Sequence, residues 1–516
     1  MSTVELLIGV LTVTMPLVAL ARRVLVPYPV VLVLGGLALS FIPGLPSVEL
    51  DPNLVFVIFL PPLLYWTTVT APTDDIRVNA AWVWGMGVGL VLATAFAIAA
   101  VARYVVVGMS GPIAAVLGAI VAPTDEIAVV PTLERFRIPR RLIAIIQGES
   151  LVNDAVALVL YATALAAVTS GTFSWSTAPL RFALVSLGGV ALGVVLGRIA
   201  VELWRRFDDS QVQLIISVVL PYLTYGLAQR LGLSGVFAVV AEGVYVNRFT
   251  PVVVTPTSRL QATGFWESVV FLSNVVIYLL VGLQLHRILA TLARYPVTTL
   301  VWAAFAVNAA VIAVRFAWVF VQGSLPWFRR RGPQEKGELV VLAWCGLRGG
   351  ISLAAALAIP TAGGDLFAER DLLIFLTFSV ILVTLVGGAL TLPLTLKRMT
   401  AWPYDPSESE ERHARRVMAE AALTRIDECQ REGWLQPEIA EVLRRRYRRE
   451  HDVAVAPEGS DVLDASAQVV QAAQDVLSAK RAALIALRNR GEIDNIVLRR
   501  LQLGLDIEHA QLESRL

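Results

Sequence analysis

The stretch VAPTDEIAVVPT, residues 121–132, lies inside a run that is otherwise apolar enough to cross a membrane. Pro123 and Pro131 remove backbone donors and clash with the preceding helical turn, so a continuous helix is not expected there. A second stretch, WCGLRGGISL at residues 344–353, places three glycines around the charged Arg348 in another apolar run. The sequence therefore predicts two interrupted membrane helices.

The composition of the whole chain is typical of a membrane protein. Of its 516 residues 56% are hydrophobic and 16% charged, and the mean hydropathy is +0.68, outside the usual range of soluble domains. Residues 401–516 hold 17 Lys/Arg and 21 Asp/Glu, a net charge of −4, whereas the first 400 residues carry +6. We therefore expect a transmembrane domain over residues 1–400 and a soluble helical tail domain over residues 401–516.

The apolar runs predict thirteen membrane spans, because roughly 20 apolar residues are needed to cross ~30 Å of hydrocarbon. Arg22 and Arg23 follow the first span and no basic residue precedes it, which favours a retained helix over a cleaved signal peptide. The fold class expected is an all-α membrane protein. The approximate bounds of the spans are 4–21, 28–45, 52–70, 80–107, 111–132, 142–168, 178–202, 211–228, 233–246, 266–285, 297–322, 338–360 and 371–397.

The loops indicate an orientation, because Lys and Arg accumulate on the cytoplasmic side of short loops. The loops after even-numbered spans contain few basic residues, with Arg287, Arg294 and Arg370 as exceptions. We expect the N-terminus outside, the tail in the cytoplasm and the protein in the plasma membrane. Basic residues follow the odd-numbered spans, at Arg22-Arg23, 134–141, Arg205-Arg206, Arg248 and Arg259, 328–336 and Lys397-Arg398.

The two interrupted spans are the fifth and the twelfth. Spans one to six can therefore repeat as spans eight to thirteen, with span seven as the connector, and an odd offset inverts the second copy in the membrane. Many secondary transporters are built in this way, with paired broken helices forming the ion site near the midplane. Half-helix ends offer partial charges to ions at such a site. Inverted repeats and a transport function are thus expected together.

Span six carries polar residues in the stretch QGESLVNDAVALVLY, residues 147–161. On a helix Ser150 and Asp154 share one face, and Glu149 and Asn153 share the neighbouring one. Ionisable side chains within the membrane face a bundle interior or water and are functional candidates. The companions expected for them are Asp125 and Thr124 from the interruption, because such hard oxygen ligands suit a small alkali cation.

Ordered blocks of sequence from about residue 5 to residue 400 resemble the cation/proton antiporter-1 family, the sodium/proton exchangers. The resemblance implies that Asp154, beside Asn153, binds cation and proton in turn, and that Arg348 holds Glu149 in a structural ion pair. It also implies a homodimer in which a six-helix core moves against a dimerisation domain. The family's unwound Thr-Asp and its Glu-Ser fall on Thr124-Asp125 and Glu149-Ser150. The blocks are PTDEIAVV (123–130), GESLVNDAVALVLY (148–161), and residues 220–240, 265–285 and 346–360.

Three positions depart from the pattern of that family. Glu126 stands where relatives commonly have proline, Trp66 follows Tyr65 where many have an acid, and Glu242 is an additional acid. We expect Glu126 and Glu242 to modulate the site. Arg315 is a third candidate modulator, expected to pair with an acid that the sequence does not identify.

Cation/proton exchange follows from the physics of one buried carboxylate, because a proton and a cation compete for it. With neutral Asn153 beside a single titrating Asp154, one cation replaces one proton, which predicts electroneutral exchange with Na⁺ as the first candidate. K⁺ and Li⁺ stay open, since selectivity depends on cavity size.

Two other classes of protein are alternatives, a cation channel and an intramembrane aspartyl protease. The Tyr-Asp and Gly-x-Gly-Asp contexts of such proteases are absent from the sequence. The four histidines and two cysteines form neither a metal-ligand spacing nor a disulfide framework. We therefore expect a transporter and not an enzyme, with the bilayer and the transported ions as partners, no cofactor and no nucleic acid.

Overall fold

A computed structural model of the chain describes residues 3–24, 27–42, 57–106, 108–127, 129–136, 138–170, 178–292, 295–329, 332–333, 335–360, 369–398, 406–456, 461–490, 501–502 and 504–508. Within these ranges all regular structure is helical. The chain divides into two compact units, Met1–Pro403 and Tyr404–Leu516, and each is described by itself.

Each of the thirteen predicted spans coincides with a helix or with a pair of half-helices in the first unit. The end of span two and the start of span three, residues 43–56, lie outside the described residues. The helices are α1 (Thr3–Val24), α2 (Tyr28–Ser40), α3 (Leu60–Thr70), α4 (Thr73–Val78), α5 (Ala80–Val105), α6 (Gly111–Val121), α7 (Val130–Arg135), α8 (Arg140–Ser170), α9 (Ala178–Arg206), α10 (Ser210–Arg230), α11 (Gly235–Val253), α12 (Pro256–Thr291), α13 (Val297–Ser324), α14 (Pro326–Arg329), α15 (Lys336–Trp344), α16 (Gly350–Leu357) and α17 (Arg370–Arg398).

The described part of the chain contains eight helices that are long and apolar enough to cross a membrane, and three shorter apolar helices. This confirms the expected all-α membrane architecture. Span nine, predicted to end at residue 246, continues in α11 to Val253 and is long enough to cross. The two interruptions fall where the sequence predicts them, between α6 and α7 in span five and between α15 and α16 in span twelve.

Several helices begin at a polar residue that satisfies their first free N–H groups. The Ser110 hydroxyl accepts from the Ile113 N–H at the start of α6. The Asp209 carboxylate accepts from two backbone N–H groups, 2.8 and 3.0 Å away, at the start of α10. Such caps stabilise a helix by about 1 kcal/mol each, and they mark where a span begins.

Close helix crossings depend on glycines without side chains. At the crossing of α9 with α11, a Cβ atom on Gly193 would lie 2.0 Å from the Ala238 carbonyl oxygen. At the crossing of α2 with α12, a Cβ atom on Gly36 would lie 2.4 Å from the Leu279 carbonyl oxygen. Small residues let backbones approach in this way in membrane proteins, so α12 lies tightly on α2.

The second unit is helical, as the sequence predicts for the tail. Gly433 has a φ of +83°, which reverses the chain between its first two helices, and Arg444 then reaches back to Asp427 at 2.7 Å. Pro437 opens the second helix, where its missing N–H has no cost. The helices are α18 (Pro406–Arg431), α19 (Pro437–Val455) and α20 (Asp461–Asn489).

Candidate functional site

The interruption of span five is fastened to the interruption of span twelve. Between α6 and α7 the Asp125 backbone N–H donates to the Leu347 carbonyl at 2.7 Å. The Asp125 Oδ1 atom accepts from the Ile127 N–H at 2.9 Å, so the side chain also satisfies backbone freed by the break. A Cβ atom on Gly349 would lie 1.8 Å from Asp125 Oδ2. The two unwound segments therefore meet at Asp125, and only glycine fits beside it.

Thr124 lies at the centre of the polar contacts between the interruption and span six. Its carbonyl accepts from the Ser150 hydroxyl at 3.2 Å. Its hydroxyl accepts from the Asn153 side-chain amide at 2.7 Å and donates to Glu149 Oε1 at 3.0 Å. The structure thus brings Thr124, Glu149, Ser150 and Asn153 together, and it shows that the Asn153 amide is used to hold the broken helix.

Asp154 is one turn beyond Ser150 on α8 and lines a cavity of about 50 Å³. This volume holds a few water molecules, given the roughly 10–15 Å³ that one requires. Asp154 is only 8% exposed, and among the described residues nothing donates a hydrogen bond or a salt bridge to its carboxylate. Asp125 and Glu126 line the same cavity, and the described lining includes no Lys, Arg or His. The described lining therefore offers carboxylates to a cation and contains no basic side chain that would neutralise them.

The predicted ion pair between Glu149 and Arg348 is corrected by the structure, because Arg315 of α13 is the partner of Glu149. Its two terminal nitrogens lie 2.5 and 3.1 Å from the two carboxylate oxygens, and both side chains are buried. The same guanidinium donates to the Leu342 and Ala343 carbonyls at 2.9 and 3.1 Å. Arg315 therefore joins span six to the carboxyl end of the half-helix α15, and the acid that the sequence left unidentified is Glu149.

Arg348 has a different position from the one predicted. It is fully buried, and its guanidinium donates through Nη1 to the Ala122 carbonyl just beyond the end of α6. Its backbone N–H donates to the Thr384 hydroxyl at 3.1 Å. Nε and Nη2 have no hydrogen-bond partner among the described residues. A cation at the carboxyl end of a helix is stabilised by the helix dipole, so Arg348 caps α6 instead of holding Glu149.

The two acids predicted to modulate the site are in different places. Glu126 lines the cavity, and its Oε2 atom is buried without a hydrogen-bond partner in the described chain. Glu242 is fully buried in α11, where α11 crosses α9, and does not line the cavity. The structure brings only Glu126 to the candidate site.

Two residues of the site were not identified from the sequence. The Tyr278 hydroxyl of α12 donates to Asp125 Oδ2, and Asn274, one turn earlier, lines the cavity. The signal available was their i, i+4 spacing in a mostly apolar part of α12, which puts both side chains on one face. The spacing does not show that α12 packs beside the interruption of span five, so the contact with Asp125 could not be predicted from it.

Comparison with known proteins gives a consistent match. The family model described as sodium/hydrogen exchanger, transmembrane, matches residues 9–398. An uncharacterised Na⁺/H⁺ exchanger of Mycobacterium tuberculosis is 36% identical over 513 residues, covering 96% of this chain and 93% of that protein. An uncharacterised Na⁺/H⁺ exchanger of Escherichia coli is 30% identical and covers 98% of both chains. These matches confirm the resemblance expected from the ordered blocks.

Other matches concern transported ions and the fold. A Bacillus subtilis protein named as a sodium, potassium, lithium and rubidium/H⁺ antiporter is 30% identical, covering 72% of this chain and 58% of that protein. A solved sodium proton antiporter of Methanocaldococcus jannaschii superposes with a TM-score of 0.62 at 18% identity, covering 75% of this chain and 98% of that one. At this identity the structural likeness shows the fold alone. The matched proteins are named as transporters and not as enzymes.

Proposed function

We propose that this chain, which belongs to the sodium/hydrogen exchanger family, exchanges one monovalent cation for one proton at Asp154. The observation that carries the proposal is the Asp154 carboxylate, nine-tenths buried in a cavity without a basic residue in its described lining. A buried charge without a partner costs several kcal/mol. Either a proton or a cation relieves that cost, and the two compete for the same oxygen atoms.

Asp125, Thr124 and Ser150 are the further ligands that we propose for the cation. Asp125 from the interruption of span five and Asp154 from α8 line one cavity, and Thr124 and Ser150 add neutral oxygens to its wall. The proton and the cation have access from each side in turn, because a carboxylate that is open to both sides at once would only leak. The residue before Asp154 is neutral, and its amide already binds Thr124, which supports electroneutral one-to-one exchange.

Na⁺ is the cation that we propose first, since the relatives that cover nearly the whole chain are named as Na⁺/H⁺ exchangers. K⁺/H⁺ exchange is the second candidate, because the Bacillus subtilis relative is named for sodium, potassium, lithium and rubidium. We further propose a homodimer in the plasma membrane. The N-terminus lies outside and the tail in the cytoplasm in this proposal, because basic residues follow the odd-numbered spans.

The test uses purified protein in proteoliposomes with a trapped pH dye, at a membrane voltage set to zero or to a fixed value. Pulses of Na⁺ or K⁺ are expected to change the internal pH at a rate independent of voltage. Asp154→Asn is expected to reduce that rate to the protein-free background. Glu242→Gln is the matched control, because it neutralises a buried acid outside the cavity and is expected to keep exchange. Full exchange by Asp154→Asn would overturn the proposal, and a voltage-dependent rate would overturn electroneutrality.

A further inference from the structure

The contact between Tyr278 and Asp125 distinguishes the two aspartates of the cavity. The Tyr278 hydroxyl donates to Asp125 Oδ2, and the Ile127 N–H donates to Oδ1. Both oxygens of Asp125 therefore have a hydrogen-bond donor, whereas Asp154 has none among the described residues. Tyr278 is 1% exposed, so bulk water cannot replace the hydrogen bond that its hydroxyl makes to Asp125.

Gly349 and Asn274 lie next to the hydrogen bond between Tyr278 and Asp125. The Asp125 oxygen that Tyr278 contacts is the same one that a side chain on Gly349 would displace. Asn274 lies one turn before Tyr278 and is 4% exposed in the cavity wall. Its side-chain nitrogen has no hydrogen-bond partner in the described chain. The helix α12 thus presents hydrogen-bond donors to a cavity whose other walls supply carboxylates.

The hydrogen bond also joins two different groups of helices. Asp125 is fixed to the interruption of span twelve through its backbone bond to Leu347. Tyr278 belongs to α12, whose most extensive packing is against α2. Moving the broken helices relative to α12 would separate the Tyr278 oxygen from Asp125. The state of Asp125 is therefore linked to the relative position of the two groups.

We propose that Tyr278 is a positioning residue that sets the cation affinity of the site by occupying Asp125 Oδ2 when no cation is bound. The O–H dipole places a partial positive charge where the cation's charge would lie, so a cation that coordinates Asp125 must take over that oxygen. This inference rests on the proposed function of the cavity. It assigns a role to a residue outside the interruption and outside span six.

The variant Tyr278→Phe removes the hydroxyl and keeps the ring. A hydrogen bond to a charged group changes an equilibrium constant by roughly tenfold to a hundredfold, and cavity solvent can replace part of it. We expect the dissociation constant for Na⁺, measured by titration calorimetry on the purified protein, to fall about threefold to tenfold. The Na⁺ concentration giving half-maximal exchange is expected to fall with it. Tyr161→Phe is the matched control, because Tyr161 is buried in α8 and does not line the cavity.

The outcomes separate this inference from the proposed function. Tighter Na⁺ binding by Tyr278→Phe, with wild-type affinity in Tyr161→Phe, supports the role of Tyr278. Unchanged or weaker binding by Tyr278→Phe overturns it, even if Asp154→Asn abolishes exchange as expected. Wild-type protein that binds Na⁺ but does not exchange it would overturn the proposed function, and the comparison of dissociation constants would still decide the role of Tyr278. Binding of no alkali cation by either protein overturns both.

Discussion

Replacing Arg315 by methionine removes the positive half of a buried ion pair. Among the described residues Glu149 is then left with the Thr124 hydroxyl as its one hydrogen-bond donor. Solvent cannot replace the guanidinium, because both side chains of the pair are at most 3% exposed. Breaking a buried pair from one side costs about 3–5 kcal/mol. The variant also leaves the Leu342 and Ala343 carbonyls without the guanidinium, at roughly 1–3 kcal/mol for each unsatisfied group. We therefore expect Arg315→Met to lose at least about 4 kcal/mol of unfolding free energy.

The double variant Arg315→Met/Glu149→Gln separates these two contributions. It removes both charges, so only the cost of the two carbonyls and of imperfect packing persists. We expect it to be more stable than Arg315→Met alone by at least about 2 kcal/mol, because the uncompensated carboxylate is gone. The measurement is unfolding of the purified protein in mixed micelles by increasing amounts of sodium dodecyl sulfate, for the wild type, both single variants and the double variant.

A matched pair controls for nonspecific effects of losing an arginine. Arg206 pairs with Glu202 one turn earlier on α9, and the two side chains are 70% and 51% exposed. Solvent screens this pair, so Arg206→Met is expected to cost much less than Arg315→Met. If the four Arg315 and Glu149 proteins show additive losses, or if Arg206→Met is as costly, the account of Glu149 as a charge neutralised by Arg315 is wrong.

Two further predictions concern helix contacts. In a background without the native cysteines, Ile277→Cys/Gly350→Cys is expected to form a disulfide, because a Cβ atom on Gly350 would lie 3.7 Å from Ile277 Cβ, within the range of natural disulfides. Oxidation is expected to stop exchange, and reduction is expected to restore it. Full exchange by completely cross-linked protein would show that α12 and α16 do not separate during transport. Gly193→Val is expected to destabilise the protein by more than about 2 kcal/mol in the same micelle assay, since the valine side chain would clash with the Ala238 carbonyl. An unfolding curve like that of the wild type would contradict the tight crossing of α9 and α11.

The interruptions were predictable because their causes are local. Pro123 cannot continue a helix wherever the chain places it, and Pro131 is found at the start of α7, where proline is tolerated. The glycines around Arg348 give a similar local signal, and helix α15 ends at Trp344, just before the first of them. The existence and order of the spans likewise follow from apolar run length, which depends only on the thickness of the bilayer.

The partners across the site were not predictable from local sequence. Two arginines, Arg315 and Arg348, were candidate partners of Glu149, and the resemblance to the family favoured Arg348. The pairing depends on which guanidinium reaches the carboxylate after the helices pack, and the neighbouring helices set the distance between Glu149 on α8 and Arg315 on α13. Tyr278 was missed for the same reason, because a single tyrosine in a mostly apolar stretch does not indicate a hydrogen bond to a residue 153 positions away along the chain.

The positions of three arginines at helix ends explain how the cavity remains acidic. Arg315 donates to the last carbonyls of α15, Arg348 to the carbonyl after α6, and Arg370 to the Leu357 and Ile359 carbonyls at the end of α16. Each is thus fixed at a half-helix end that carries partial negative charge. The arginines stabilise the broken helices, and this role accounts for Arg370, the basic exception between spans twelve and thirteen, which is the first residue of α17. Since none of the three lines the cavity, Asp154 and Asp125 keep their need for positive charge, which a transported ion can supply and then remove.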